Sequence, residues 1–102
     1  MGETNNKVVL VTGAARGIGL AAAERFLEDG WNVGLLDNDT QTLAAAVRTL
    51  ASPRALELPY DVRYPDHAAR AVDAVREKFG RLDALVNNAG IAHFGPLMET
   101  PL

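Results

Sequence analysis

The sequence predicts an α/β fold in which a parallel sheet carries helices on both faces. Short apolar runs alternate along the 102 residues with longer segments whose apolar residues recur at helical spacing, in the order β-α-β-α-β-α-β. A glycine-rich stretch joins the first apolar run to the first helical pattern. Such alternation favours right-handed crossovers between parallel strands, and we expect the strand order 3-2-1-4, which is half of a doubly wound sheet.

The first strand and helix flank the glycine stretch. Residues 7–12 form a continuous, largely β-branched run, which predicts a central strand buried on both faces. Residues 18–29 carry apolar side chains at helical spacing, and Gly30 provides a left-handed stop. Between them, residues 12–19 read Thr-Gly-Ala-Ala-Arg-Gly-Ile-Gly.

The spacing of these glycines predicts a phosphate-binding loop. The first turn of a helix leaves backbone N–H groups unpaired, and its dipole favours an anion. We expect Gly13 to permit the turn, Gly17 to remove a Cβ that would block a pyrophosphate, and Gly19 to let the helix pack against the strand. Taken alone, the same pattern also describes an ordinary βα turn.

The middle of the chain continues the alternation. Residues 32–36 predict a second strand that ends at Asp37, and a second helix follows, ending at Ser52-Pro53. Residues 55–58 predict a third strand, shortened by Pro59, which cannot donate to a ladder.

A third helix and a fourth strand complete the pattern. Pro65 suits a first helical position, and Gly80 suits the end of the same helix. Residues 82–86 predict a fourth strand buried on both faces, followed by Asn-Asn-Ala-Gly at positions 87–90. From residue 91 onward the pattern is irregular.

Composition narrows the classes of function. Apolar residues make up 48% of the chain, which predicts one globular domain over residues 1–102, with a frayed terminus at residues 1–6. The formal charge of −3 and the absence of a basic run argue against a nucleic-acid partner. The chain has no cysteine, no spaced metal-ligand set, no signal peptide and no apolar run long enough for a membrane span. We expect a cytoplasmic protein without a metal site.

Asp37 stands 18 residues after Gly19, at the predicted end of the second strand. This is close to the spacing at which an acidic residue binds an adenosine ribose. A carboxylate accepts hydrogen bonds from ribose hydroxyls and repels a 2′-phosphate, so the expected cofactor is NAD and NADP is less favoured. The competing interpretation is a helix cap supplied by Asp37, Asn38 or Asp39.

Taken in order, four features resemble the short-chain dehydrogenase/reductase family: residues 12–19, Asp37, Asp61-Val62 and residues 87–90. The resemblance covers residues 7 to about 95 and implies a Rossmann-type fold that binds a dinucleotide. It places Gly13, Gly17, Ile18 and Gly19 along the pyrophosphate. It also places Asp37 at the ribose, Asp61 and Val62 beside the adenine, and Asn87, Ala89 and Gly90 on the floor of the cofactor site.

Arg16 is ambiguous within this resemblance. A basic residue before the second glycine also occurs in family members that prefer a phosphorylated cofactor, and Arg16 could equally be a solvated side chain. We expect Asp37 to determine the preference, because position 38 is Asn rather than an arginine that could pair with a phosphate.

The residues that carry catalysis in this family have no counterpart in the 102 residues. The resemblance implies a serine and a Tyr-x-x-x-Lys, but Tyr60 and Tyr64 have no lysine at that spacing. His67 and His93 lack the partners of a catalytic or metal set, so no catalytic residue is assigned.

Two functions follow from this pattern. The first is the cofactor-binding, N-terminal part of an oxidoreductase that transfers a hydride between nicotinamide and a carbonyl or alcohol substrate. The second is a non-catalytic NAD-binding module or sensor. The resemblance implies a truncated member of the family, so we expect the 102 residues alone to be inactive. We also expect an open sheet edge along residues 82–87 to cause self-association.

Overall fold

The computed structural model describes residues 5–89, which form a four-stranded parallel sheet and three helices. The elements are β1 (Val8–Thr12), α1 (Gly17–Glu28), β2 (Asn32–Leu36), α2 (Thr40–Leu50), β3 (Ala55–Leu58), α3 (Pro65–Phe79) and β4 (Ala84–Asn87). The strand order is β3-β2-β1-β4, and neighbouring strands are parallel. The predicted fold class and strand order are confirmed.

The sheet is covered on both faces, and β1 shows why. Its alternate side chains point to opposite layers: Val8 and Leu10 pack in a cluster with α3, whereas Val9 and Val11 pack in a cluster with α1 and α2. Every residue of β1 is buried. The uninterrupted apolar run therefore reflects a strand that faces two apolar layers at once.

The helix ends follow local signals in the sequence. Gly30 and Gly80 have φ angles of 90° and 82° after α1 and α3, and Pro65 occupies the first position of α3. α1 begins at Gly17, one residue earlier than predicted. α2 ends in a left-handed Ala51, with φ at 47°, immediately before Ser52-Pro53. Within residues 5–89, no helix has the length and apolar character needed to cross a membrane.

The N-terminal boundary differs from the prediction of a frayed segment over residues 1–6. Residues 1–4 lie outside the described part of the chain. The backbone N–H of Asn5 donates to the Gly30 carbonyl at 2.9 Å, and its side-chain amide donates to the Asp29 carbonyl at 3.2 Å. The chain is therefore already attached to the body of the domain at Asn5.

The fourth strand begins later than the predicted range of residues 82–86. The Asp83 carboxylate accepts the Val8 N–H at 2.8 Å, and the Asp83 N–H donates to the Val8 carbonyl at 2.9 Å. Because a side chain supplies this first contact with β1, the regular ladder starts at Ala84. Residues 84–86 are half-buried rather than fully buried, and among residues 5–89 the strand pairs on one side only, with β1. Self-association through this edge stays a prediction.

Asp83 makes the attachment of β4 dependent on pH. The Arg81 guanidinium, followed by the Val8 N–H, lowers the pKa of Asp83 below its ordinary value of 3.8. A lowered folded-state pKa stabilises the fold above pH 3.8, and this contribution is lost as the pH falls through the folded value.

We therefore expect Asp83→Asn to lower the free energy of unfolding at pH 7 by between about 0.2 and 1 kcal/mol. The difference from the wild-type protein should shrink as the pH falls below 3.8. Urea denaturation at several pH values measures it, with exposed Asp73→Asn on α3 as the control. A pH-independent difference between the two proteins would contradict the role of the charge.

Candidate functional site

A cleft opens at the carboxyl ends of the strands. The parallel register pairs Thr12 with Leu36 and Leu36 with Leu58, so β1, β2 and β3 end at the same edge of the sheet. The cleft has a volume of about 260 Å³. Its lining comes from the last residue of β2 and from the loops that follow these strands and β4: Gly13, Leu36, Asp37, Asn38, Tyr60, Asp61, Val62, Arg63 and Ala89. In parallel α/β sheets this edge is where ligands bind.

The glycine loop forms one wall of the cleft, and its three glycines meet different constraints. Gly13 and Gly17 have φ angles of 63° and 59°, a region that side chains with a Cβ rarely adopt. A Cβ on Gly17 would meet nothing within 4 Å, so the space beside it is open. A Cβ on Gly19 would lie 1.9 Å from the Gly13 carbonyl oxygen. Gly19 thus allows the helix to approach the turn itself, whereas the sequence predicted an approach to the strand.

Neither the N-cap nor the first turn of α1 supplies a side chain that compensates the N-terminus of this helix. Its N-cap, Arg16, makes no side-chain capping bond, and its first turn has no acidic residue. In contrast, Asp39 caps α2 and Asp66 lies in the first turn of α3. Ile18, in the first turn of α1, is 79% exposed. The positive end of the α1 dipole is therefore open toward solvent, an arrangement that suits an anion.

Asp37 connects the second strand to the glycine loop. Its Oδ2 accepts the Ala15 N–H at 3.0 Å, and its Oδ1 accepts the Asp39 N–H at 2.9 Å. The residue that caps α2 is Asp39 and not Asp37, because Asp39 Oδ1 accepts the Thr42 N–H at 3.2 Å in the first turn of that helix. Each Asp37 oxygen makes one of these bonds and has a second lone pair that can accept another hydrogen bond.

Asp61 lines the same cleft and forms an ion pair with Arg63. Arg63 Nη2 donates to Asp61 Oδ2 at 2.6 Å, and Nε approaches both carboxylate oxygens at 3.0 and 3.1 Å. These bonds, the Arg63 N–H and a hydrogen bond from Asn38 hold the pKa of Asp61 well below its usual range. Asp61 is therefore a charged acceptor at neutral pH. Its neighbour Val62 is 6% exposed and packs in the cluster with α3.

Thr12 joins the glycine loop to the segment after β4, a role that no local sequence pattern predicts. Its buried hydroxyl donates to Asn87 Oδ1 at 2.9 Å and accepts the Ala89 N–H at 3.0 Å. The Asn88 side-chain amide donates to the Gly13 carbonyl at 3.3 Å. Asn87 and Ala89, two residues predicted for the cofactor floor, thus lie beside the loop. Gly90, the third, lies outside the described residues.

The Arg16 side chain, although largely exposed to solvent, reaches across the loop to the start of α2. Its guanidinium forms an ion pair with Asp39 and donates to Thr42 Oγ1 at 3.1 Å. The sequence left two interpretations of Arg16 open, a phosphate-binding residue and a solvated side chain. The structure adds a third, in which Asp39 and Thr42 at the start of α2 hold the guanidinium. No sequence pattern predicts this carboxylate partner, because residues 16 and 39 are 23 positions apart.

His67 contacts Asp61 and the rings of Tyr60 and Tyr64 beside the cleft. His67 Nδ1 accepts the Asp61 N–H at 2.9 Å, and its ring lies edge-on to Tyr60 at 5.7 Å between centroids. Tyr60 lines the cleft, whereas Tyr64 is 54% exposed. Among residues 5–89 no His, Asp and Glu cluster could hold a metal ion. His93 lies outside the described residues.

Comparison with known proteins gives consistent matches. A family model described as short chain dehydrogenase matches residues 7–102. The chain is 40% identical over 100 residues to meso-2,3-butanediol dehydrogenase of Serratia marcescens, a match that covers 96% of this chain and 39% of that protein. It is 44% identical over 96 residues to galactitol 2-dehydrogenase of Agrobacterium fabrum, covering 91% of this chain and 36% of that protein. The chain thus spans under two fifths of the length of these two relatives.

A solved structure also aligns with the chain. The 3-ketoacyl-(acyl-carrier-protein) reductase of Brucella melitensis, complexed with NADH, aligns with a TM-score of 0.74 at 33% identity, covering 78% of this chain and 32% of that one.

The packing of Gly19 predicts a local structural effect of substitution. We expect Gly19→Ala to displace residues 13 and 14 and to lower the free energy of unfolding by about 1–3 kcal/mol, because the added Cβ meets backbone atoms that cannot rotate away. Amide chemical shifts and urea denaturation measure both effects. Gly80→Ala is the control, since its Cβ enters open space and introduces only left-handed strain. Unchanged Gly13 and Ala14 amide shifts in Gly19→Ala would contradict the close approach.

Proposed function

The chain belongs to the short-chain dehydrogenase family, and from that premise we propose that residues 1–102 form the cofactor-binding part of an NAD-dependent oxidoreductase. The reaction would transfer a hydride between nicotinamide and a carbonyl or alcohol substrate. The bound nicotinamide would supply the redox chemistry, while the residues described here would bind and orient the dinucleotide. Because the chain spans under two fifths of the two relatives above, the activity and substrate of the whole protein are part of this proposal.

The glycine loop would hold the pyrophosphate. The open space beside Gly17, together with the uncapped start of α1, leaves backbone N–H groups accessible to an anion. Gly13 and Gly19 would shape this wall, because the turn can lie against the helix only if position 19 lacks a Cβ. The exposed Ile18 would cover part of the same surface.

The two carboxylates would bind the adenosine. Asp37 would accept hydrogen bonds from the ribose hydroxyls, and Asp61 and Val62 would lie beside the adenine. All three residues line the same cleft as Gly13. The charge on Asp61, maintained by Arg63, favours acceptance of a hydrogen bond from an exocyclic amino group. Asn87, Ala89 and Gly90 would form the floor.

The observation that carries the proposal is the hydrogen bond from the Ala15 N–H to Asp37 Oδ2 at 3.0 Å. This bond joins the glycine loop to Asp37 beside one cleft. The two motifs were predicted separately, and Asp37 follows Gly19 by 18 residues. An ordinary βα turn has no need of an acidic partner from the next strand. A site for a pyrophosphate and its adjoining ribose requires both groups side by side.

Within residues 1–102 no Tyr-x-x-x-Lys occurs, so proton transfer is not assigned to any residue here. A whole protein that oxidises an alcohol must supply an acid or base close to the substrate. Turnover of NAD with an alcohol by the whole protein would therefore distinguish the enzyme from an NAD-binding module that performs no chemistry.

We expect Gly17→Val to abolish NAD binding while leaving the fold in place. The valine side chain would fill the open space beside the loop, where no protein atom lies within 4 Å. Calorimetric titration measures binding, and circular dichroism measures the fold. Gly80→Val is a matched control, because it imposes the same left-handed backbone on a β-branched residue in open space at the end of α3. Undiminished NAD binding by Gly17→Val would identify the loop as an ordinary turn.

We expect the protein to bind NAD more tightly than NADP. We expect Asp37→Ala to weaken NAD binding and to reduce the difference between the affinities for NAD and NADP. The hydrogen bonds lost to a charged acceptor are worth about 1.5–3 kcal/mol. Calorimetric titration with both dinucleotides provides the two dissociation constants, and exposed Asp66→Ala serves as the control. Equal affinities of the wild-type protein for NAD and NADP would contradict the role of Asp37.

A further inference from the structure

An ion pair beside the proposed ribose position has no role in the function described so far. The Arg16 guanidinium pairs with Asp39 and donates to Thr42 Oγ1 at 3.1 Å. Arg16 directly follows Ala15, whose N–H binds Asp37. Asp39 contacts Asp37 directly, because its own N–H donates to Asp37 Oδ1. A cation and two carboxylates therefore meet at one corner of the site.

Asp39 performs two tasks that can be separated chemically. Its Oδ1 accepts the Thr42 N–H and caps α2, a task that needs only an acceptor oxygen. Its Oδ2 accepts the Thr42 hydroxyl at 2.9 Å and pairs with Arg16, a task that depends on charge. The bonds from Thr42 and the nearby Arg16 lower the pKa of Asp39, so this carboxylate is ionised at neutral pH.

The pair is exposed to solvent and so contributes little to stability. The Arg16 side chain is 67% exposed and that of Asp39 is 41% exposed. An exposed guanidinium can exchange one anionic partner for another, and a phosphate is a partner of suitable geometry because it accepts two parallel hydrogen bonds. Whether Arg16 pairs with Asp39 or with a phosphate therefore depends on competition between these anions and has little effect on folding.

We propose that Asp39 is a specificity-determining residue, which holds the Arg16 guanidinium and so withholds it from a ribose 2′-phosphate. The proposal rests on the dinucleotide site proposed above. Asp37, Asp39 and Arg16 together carry a net charge of −1, which repels a phosphate. Neutralising Asp39 removes that net charge and releases the guanidinium in the same step. Asp37 and Asp39 would thus act jointly, one toward the ribose hydroxyls and the other toward the cation.

The test compares six proteins, of which four form a mutant cycle: wild type, Asp39→Asn, Arg16→Gln and the double variant. Asparagine caps a helix as well as aspartate does, so Asp39→Asn removes the charge and keeps the cap. Asp39→Ser, a second capping residue without charge, guards against a defect specific to asparagine. Asp29→Asn is the matched control, since Asp29 forms a comparable exposed ion pair with Arg25 on α1, away from the cleft. Calorimetric titration at low ionic strength gives the dissociation constants for NAD and NADP.

We expect Asp39→Asn and Asp39→Ser to shift the ratio of the two constants toward NADP by about tenfold, the range of one charge-assisted contact. The double variant should lose this shift, and Asp29→Asn should not show it. An unchanged ratio in both Asp39 variants would overturn the proposal, as would a shift that persists without Arg16, because loss of one negative charge would then suffice. If the wild-type protein binds neither dinucleotide, the proposed function fails and this inference fails with it. If the wild-type protein binds NAD and both Asp39 variants keep the wild-type ratio of the two dissociation constants, the inference is overturned and the proposed function stands.

Discussion

The pairing of β1 with two parallel neighbours sets the positions of the other strands and of the loops that follow them. Because β1 lies between β2 and β4, in register at Thr12 with Leu36 and Asn87, the segments that follow all three strands emerge at one edge. The side chains that concern function follow within a few residues of those ends. A central strand of this kind requires apolar layers on both faces, and helices on both sides provide them.

The carboxylates at this edge are positioned by the protein itself. Asp37 is held by the N–H groups of Ala15 and Asp39, and Asp61 is held by Arg63 and Asn38. Acceptors that are already oriented and ionised cost less to engage when a ligand binds. The same bonds connect loops that belong to different strands. The carboxylates that would bind a ligand thus also hold together the loops that form the cleft.

The likeness to other proteins and the geometry address different questions. The family model and the relatives identify the family, and their identities of 40% and 44% extend over more than nine tenths of this chain. They leave the choice between NAD and NADP open for this chain. Asp37, Asp39 and Arg16 of this chain are the groups whose charges bear on that choice, because a 2′-phosphate differs from a hydroxyl mainly in its charge.

The expected strand order followed from the crossovers that alternating strands and helices favour. The alternation itself, the glycine loop and the position of Asp37 at the end of β2 could be predicted directly from the sequence. These features are local, since periodicity, glycine and proline act over a few residues. Only the three-dimensional structure revealed the partners of Thr12 and Arg16 and the hydrogen bond from Asn38 to Asp61. It also moved the start of β4 to Ala84 and assigned Gly19 to the turn rather than the strand. Thr12 meets Asn87 across 75 positions and Arg16 meets Asp39 across 23, so no spacing rule connects them. Such contacts exist only once the parallel sheet has brought distant segments to one edge.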